Sequence, residues 1–109
     1  GGEDIWRAVR QDDTWVDPTN IGAVNTPADE TRPFVTADGS ELWITRFYQG
    51  SPAIFRSRRL GDQWQAPELM VSSFAGEPTL DPQGNLYFVH HFYRDGVMLE
   101  VDIYVAYRR

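Results

Sequence analysis

Residues 33–44 read PFVTADGSELWI, and residues 78–88 read PTLDPQGNLYF. Each stretch contains a proline, then a glycine within a polar turn, then a short apolar segment that begins with leucine. The two copies are 45 residues apart at both markers, Pro33 with Pro78 and Gly39 with Gly84. Glycine supplies the positive φ that tight turns between strands require. Each stretch therefore predicts two strands joined by a tight turn, and together they indicate a repeated fold.

A second set of markers extends the repeat over the rest of the chain. Ile5, Ile54 and Ile103 are spaced by 49 residues, and Trp15 and Trp64 are also 49 residues apart. The intervals of 45 and 49 are compatible because surface loops vary in length while strands keep their phase. Each unit is interpreted as four short strands, named A to D. In these terms the chain contains, in order, C-D at 4–23, A-B-C-D at 32–70 and A-B-C at 77–107.

The predicted fold class is all-β. A repeat of 40 to 50 residues with four strands and a glycine/aromatic marker per unit is typical of β-propeller blades. The chain is interpreted as one segment, residues 1–109, with about two four-stranded antiparallel blades and part of a third. Blades at the end of an open ring expose apolar sheet. We therefore expect a fragment of a longer propeller or an oligomer that completes the ring.

One segment allows a helical alternative. Ile5 and Val9 would share one face of a short amphipathic helix over residues 4–11. The equivalent residues 53–58 follow Pro52 and are too short for a helix, and repeated units are expected to share one conformation. A strand is therefore the preferred prediction.

Composition and charge exclude several functions. Aromatic residues make up 14% of the 109 residues, which favours sheet. The net charge of −6 and the lack of a basic stripe argue against a nucleic-acid partner. There is no cysteine, which excludes thiol catalysis and cysteine-ligated zinc. No apolar run approaches the roughly 18 residues of a membrane helix, so membrane insertion is not expected.

The repeat markers resemble the WD40-like repeats of the bacterial TolB propeller domain, whose blades follow P-x-x-S-x-D-G-x-x-L-y-F and then D-I-y. The matching residues are 33–36, 38–39, 42–44, Pro78, Asp81, Gly84, 86–88 and 102–104. Gln83 and Ala53 depart from the pattern, each standing where the family has aspartate. The resemblance implies blades around a channel, with strand A innermost and D outermost, and a periplasmic or secreted location; the location is otherwise unknown.

The turn between strands C and D is similar to the Asp-box of sialidase-type propellers, roughly S-x-D-x-G-x-x-W. Ser57, Gly61 and Trp64 match, whereas Arg59 replaces the aspartate. In that family the turn is structural, and its tryptophan packs beneath it. The likeness therefore implies structural roles for Trp15 and Trp64, beside those of Gly39 and Gly84 in the A–B turns.

The candidate binding residues lie at the start of strand A and in the loop before it. In propellers these segments form the channel mouth, which ligands usually contact. The candidates are Asp29, Glu30, Arg32 and Glu77. Asp29 and Glu30 with Arg32 give one unit two carboxylates and an arginine, and Glu77 belongs to the next unit. Such a group can bind a cation or a sugar, and glycoside hydrolases also use a pair of carboxylates. The alternative is that they are solvated loop charges or form hydrogen bonds between blades. A sialidase would need an arginine cluster and a tyrosine nucleophile in an order that this chain lacks, so no catalytic residue is assigned.

Aromatic residues at the ends of the B strands are a second candidate surface. Tyr48 and Tyr93 are assigned to it, next to Phe47 and Phe92, as a surface on which a carbohydrate would stack. Core packing is the alternative, since strands between two neighbouring blades are buried on both faces.

No metal site or cofactor is expected. His90 and His91 are adjacent on a predicted strand, so their side chains point to opposite faces. Asp12, Asp13 and Asp17 lack the spacing of a calcium-binding loop.

The resulting functional hypothesis is a non-catalytic binding or scaffold module for protein or glycan partners. One alternative is a fragment of a sialidase-like or other glycoside hydrolase. Another is a structural, self-assembling unit, which would be a homo-oligomer.

Overall fold

The computed structural model describes residues 2–109; Gly1, the first residue of the predicted segment, lies outside the described residues. Ten strands and no helix occur in residues 2–109, so the all-β prediction is confirmed. The strands are β1 (Trp6–Gln11), β2 (Thr14–Asn20), β3 (Glu30–Val35), β4 (Glu41–Tyr48), β5 (Ser51–Leu60), β6 (Gln63–Trp64), β7 (Glu68–Val71), β8 (Ala75–Leu80), β9 (Leu86–Arg94) and β10 (Val97–Ala106).

The strands form three antiparallel sheets that follow one another along the chain. The N-terminal sheet contains β1 and β2, the central sheet β3 to β7, and the C-terminal sheet β8 to β10. In the central sheet β6 and β7 both pair with β5, and Pro67, which has no N–H to donate, lies between them. The helical alternative for residues 4–11 is wrong, because β1 pairs with β2 from Trp6 to Gln11.

The central sheet is covered on both faces. Leu42 and Ile44 of β4 pack with Phe55 of β5 in one apolar cluster, towards the N-terminal segment. Trp43 and Ile54 alternate with them and form a second cluster, towards the C-terminal sheet. Because successive strand residues face opposite sides, a strand between two layers has to be apolar at consecutive positions. This explains the uninterrupted sequence Leu42-Trp43-Ile44.

The N-terminal sheet contributes to the core mainly through residues that flank its strands. Ile5 and Val24 are buried in the first cluster, whereas every residue of β1 is exposed. Trp64 packs against this cluster, in keeping with the structural role predicted for it. The burial predicted for Trp15 is wrong, since 68% of its surface is exposed. Trp15 lies in a two-stranded sheet, and its pairing partner Arg10 is also exposed.

Small residues bring the C-terminal sheet close to the central one. A Cβ atom on Gly76 would lie 3.1 Å from Cγ2 of Thr45. Next to it, the backbone N–H of Glu77 donates a hydrogen bond of 2.8 Å to the hydroxyl of Thr45. The start of β8 is therefore held against β4 by a direct polar contact as well as by apolar packing.

The turns between strands A and B, which join β3 to β4 and β8 to β9, are each stabilised by an aspartate. The Asp38 carboxylate accepts hydrogen bonds from the backbone N–H and the hydroxyl of Ser40 and from the hydroxyl of Thr36. These bonds, the backbone bond first, lower the pKa of Asp38 from 3.8 to about 2. Gly39 follows with a φ of 75°. The backbone N–H of Asn85 lowers the pKa of Asp81 in the same way.

The bonds of Asp38 predict an acid-dependent contribution to stability. A carboxyl group whose pKa is lower in the folded state stabilises the fold above its unfolded pKa and loses this contribution as pH falls through the folded value. We expect Asp38→Ala to unfold at a lower temperature than the wild type near neutral pH. The difference in unfolding temperature between the two proteins should disappear as the pH falls from about 4 to about 2. Thermal unfolding measured across this pH range tests the prediction, with Asp62→Ala as the exposed control. A difference in unfolding temperature that does not change with pH would contradict the stabilising role of the Asp38 carboxylate.

Candidate functional site

An open cleft of about 720 Å³ lies where the starts of β1, β3 and β8 meet. Its lining includes all four of the predicted binding residues, Asp29, Glu30, Arg32 and Glu77. They come from two neighbouring sheets and are brought together by the packing of β8 on the central sheet. The repeat spacing explains this proximity, because equivalent strands begin at the same end of stacked sheets.

Glu30 is a structural member of the cleft. Its side chain is fully buried and forms an ion pair of 3.6 Å with Arg46, itself mostly buried. The hydroxyl of Thr26 donates a short hydrogen bond to Glu30 Oε1, and the backbone N–H of Thr26 donates to Oε2 at 3.1 Å. The guanidinium of Arg46 also lies 4.0 Å from the ring centre of Phe55. The carboxylate of Glu30 thus joins the 24–30 loop to the central sheet.

Asp29 holds the N-terminal segment against the central sheet. Its Oδ1 accepts a hydrogen bond of 2.7 Å from the N–H of Glu3. The carbonyl of Glu3 in turn accepts a bond of 2.8 Å from the N–H of Glu30. Through these bonds Glu3 and Asp4 also line the cleft, although sequence reasoning did not select them.

Arg32 and Glu77 are the exposed polar pair of the cleft. Their side chains approach to 3.7 Å, and each is about half exposed or more. Both residues stand directly before a proline, and both have left-handed backbone, with φ of 53° and 56°. Residues before proline ordinarily avoid this conformation, and non-glycine residues rarely adopt it.

The left-handed residues lie at irregularities in strand pairing. The register of β3 against β4 shifts between Thr31 and Phe34, and that of β8 against β9 shifts between Gly76 and Thr79. Such bulges redirect a side chain out of the regular strand pattern. Here a bulge occurs at equivalent places in two sheets, and the two bulges direct the side chains of Arg32 and Glu77 into the same cleft.

Two exposed aromatic rings complete the lining, Trp6 and Phe47. Phe47 belongs to the aromatic group selected from the sequence, whereas Trp6 was missed. Strand alternation could have found Trp6, because its neighbour Ile5 is an apolar repeat marker and adjacent residues face opposite ways.

Tyr48 and Tyr93 do not line this cleft. Tyr48 packs edge-on against Phe55, with ring centres 6.1 Å apart, and Tyr93 lies 5.7 Å from Phe74. Both rings are partly exposed. Each therefore combines intramolecular packing with some surface, and the structure does not bring the two together with the four charged residues.

The histidines face different surroundings. His91 lines the cleft, while the ring of His90 lies 4.9 Å from that of Tyr104. Within residues 2–109, no three histidine, aspartate or glutamate side chains are grouped closely enough to hold a metal ion.

Chemically, the cleft offers hydrogen-bond donors from Arg32, acceptors from Glu77, and the apolar faces of Trp6 and Phe47. The charge of Glu30 is already balanced by Arg46. This combination suits a ligand that has both polar groups and an apolar surface.

No protein-family model, curated protein or solved structure matches this chain. The likeness to propeller repeats therefore stays a prediction based on the sequence markers. In the part of the chain that the structure describes, no helix is long and apolar enough to cross a membrane.

Proposed function

We propose that this chain is a non-catalytic binding module of the propeller type and that its cleft takes a glycan. Three successive antiparallel sheets with equivalent strand order support the propeller arrangement. So does the resemblance of the turn and strand markers to TolB-type repeats. In such an arrangement the starts of the A strands surround the channel mouth, and the cleft lies there.

The observation that carries the binding proposal is the paired left-handed conformation of Arg32 and Glu77. A non-glycine residue in this region costs of order 1 kcal/mol or more, and strained residues gather at binding sites. Neither side chain recovers this energy inside the protein, because an exposed ion pair contributes at most about 1 kcal/mol. The two bulges bring both strained side chains into one cleft, and this placement is explained if the two side chains serve a ligand.

A glycan suits the rest of the cleft. Sugar hydroxyl groups both donate and accept hydrogen bonds, so they can be bound by the guanidinium of Arg32 and the carboxylate of Glu77 together. The apolar faces of sugar rings can lie on Trp6 or Phe47, which are exposed beside this pair. The large rigid area of an aromatic ring gives contact at little cost in side-chain entropy.

The buried contacts of Glu30 favour glycan binding over glycoside hydrolysis as the function of the cleft. Glycosidases use two carboxyl groups, one on each side of the scissile bond, that are free to exchange protons or attack. Glu30 is instead buried against Arg46 and Thr26. Glu30 itself is therefore not free to serve as one of the two groups of a glycoside hydrolase.

Replacing the strained residues by glycine tests the proposal. We expect Arg32→Gly and Glu77→Gly to weaken the binding of cellohexaose or chitohexaose at least tenfold, measured by isothermal titration calorimetry. The same variants should keep the wild-type stability within about 1 kcal/mol, because glycine adopts positive φ without strain. Loss of function without loss of stability is the signature of a residue that serves a ligand.

Asp95→Gly is the matched control, since Asp95 also has a positive φ, 50°, but lies in the β9–β10 turn outside the cleft. It should leave binding unchanged. Failure of both oligosaccharides to bind at millimolar concentration, or equal binding by the two cleft variants, would overturn the proposal. Cleavage of either oligosaccharide, detected by chromatography and lost in Glu77→Gln, would favour the hydrolase instead.

A further inference from the structure

An aromatic pair lies near the end of β9, next to the cleft, and consists of Phe74 and Tyr93. We call it the rim pair. Its ring centres are 5.7 Å apart, with an angle of 33° between the ring planes. Phe74 is partly buried, and Tyr93 keeps 36% of its surface exposed. Neither ring belongs to the two apolar clusters between the sheets, so the rim pair is a surface feature separate from the core.

His91 connects the rim pair to the cleft. It lines the cleft, and its backbone N–H donates a hydrogen bond of 2.7 Å to the carbonyl of Phe74. Tyr93 lies two residues beyond His91 in β9, so the two side chains project from the same side of the strand, about 7 Å apart along it. The rim pair therefore continues the surface of the cleft along β9.

The internal repeat gives Phe74 an equivalent within the cleft. The interval of 45 residues that relates Pro33 to Pro78 also relates Asp29 to Phe74. Both residues directly precede a strand A, which is β3 in one unit and β8 in the next. Asp29 lines the cleft. Phe74 thus occupies the corresponding position of its own unit, with an aromatic ring in place of a carboxylate.

The backbone at the start of β8 holds Phe74 in an unusual conformation. Ser73 and Phe74 are both left-handed, with φ of 68° and 58°. For a bulky side chain this conformation is an outlier. The N–H of Phe74 donates a hydrogen bond of 3.3 Å to the hydroxyl of Ser51, a buried residue of the central sheet. The bonds to Ser51 and His91 fix the backbone of Phe74 between the two sheets, so its ring has a defined position beside the cleft.

We propose that the rim pair is a second glycan subsite, and that the ligand of the cleft is an extended oligosaccharide that reaches from Arg32 and Glu77 to the rim pair. This inference rests on the glycan proposed for the cleft and adds the length and the direction of the chain. The apolar face of a further sugar ring can lie on the exposed ring of Tyr93. Aromatic side chains give such contact at little cost in side-chain entropy.

Isothermal titration calorimetry with oligosaccharides of two lengths tests the second subsite. We expect the wild type to bind cellohexaose or chitohexaose about tenfold more tightly than the corresponding disaccharide, the effect of one additional aromatic contact. Tyr93→Ala should bind the disaccharide as the wild type does but lose the preference for the longer chain. Tyr93→Phe keeps the ring and should keep the preference. Circular dichroism should show the same sheet content in both variants.

Tyr104→Ala is the matched control. Tyr104 is also partly exposed and also packs against a ring of the same sheet, Phe88, but neither residue lines the cleft. This variant should keep the preference for the longer chain. Equal affinity of the wild type for the two lengths, or the same loss of preference in Tyr104→Ala, would overturn the second subsite. So would a Tyr93→Ala variant that keeps the preference or that binds both lengths more weakly to the same extent.

The glycan proposal for the cleft fails in a different way. Arg32→Gly should weaken the binding of the disaccharide and of the hexasaccharide alike, because Arg32 lies in the cleft itself. If neither length binds to the wild type, the glycan proposal is overturned and the second subsite with it. If both lengths bind and depend on Arg32 but not on Tyr93, only the second subsite is overturned.

Discussion

Ile54→Ala is expected to lower the free energy of unfolding by about 2–5 kcal/mol, the range for truncating a buried isoleucine. Ile54 is fully buried between the central and C-terminal sheets, beside Trp43, Ala75 and Leu86. Close packing around Ile54 limits how far its neighbours can move into the space left by the lost carbons. The cost therefore combines lost transfer free energy with an unfilled cavity.

Urea denaturation followed by circular dichroism and by tryptophan fluorescence measures this change, and one of the four tryptophans, Trp43, lies in the second cluster. Leu60→Ala is the control, and we expect it to stay within about 0.5 kcal/mol of the wild type because Leu60 is exposed. A loss below about 1 kcal/mol for Ile54→Ala would mean that the C-terminal sheet does not pack on the central one as described.

Glu30→Ala is expected to cost about 3–5 kcal/mol, because it breaks a buried ion pair by removing one partner. Arg46 would keep its charge in a mostly buried position without the carboxylate that faces it at 3.6 Å. The backbone N–H and the hydroxyl of Thr26 would also lose their acceptor. The loop before β3 would then lose its connection to the central sheet.

The matched control is Glu68→Ala, since Glu68 also pairs with arginines, Arg56 and Arg58, but is largely exposed. An exposed pair contributes about 0–1 kcal/mol, so this variant should change stability little. Chemical denaturation of both variants makes the comparison. Equal costs for the two would contradict the structural role of Glu30 and would leave its carboxylate available to a ligand.

The candidate site could be predicted in part. Placing Asp29, Glu30, Arg32 and Glu77 at the starts of equivalent strands was enough to select four residues that line the same cleft. Their different roles could not be predicted, because burial separates them. Glu30 is a buried structural carboxylate, whereas Glu77 is exposed, although both are glutamates near the start of an A strand.

The left-handed conformation of Arg32 and Glu77 also could not be predicted from the sequence. A residue before proline is expected to be extended. Here pairing with β4 and β9 and the packing of β8 against the central sheet impose a bulge at each position. Contacts that are distant in sequence therefore override the local preference.

The sequence by itself determined the all-β class and the sequence positions of the turns, because these depend on local rules. Alternation decides which side a residue faces, and glycine with aspartate decides where a tight turn forms. The tertiary structure alone decided which equivalent residues are buried. Ile54 and Ile103, and likewise Trp64 and Trp15, occupy the same repeat positions but differ in exposure. Burial depends on whether another layer packs against that side, and no local pattern contains that information.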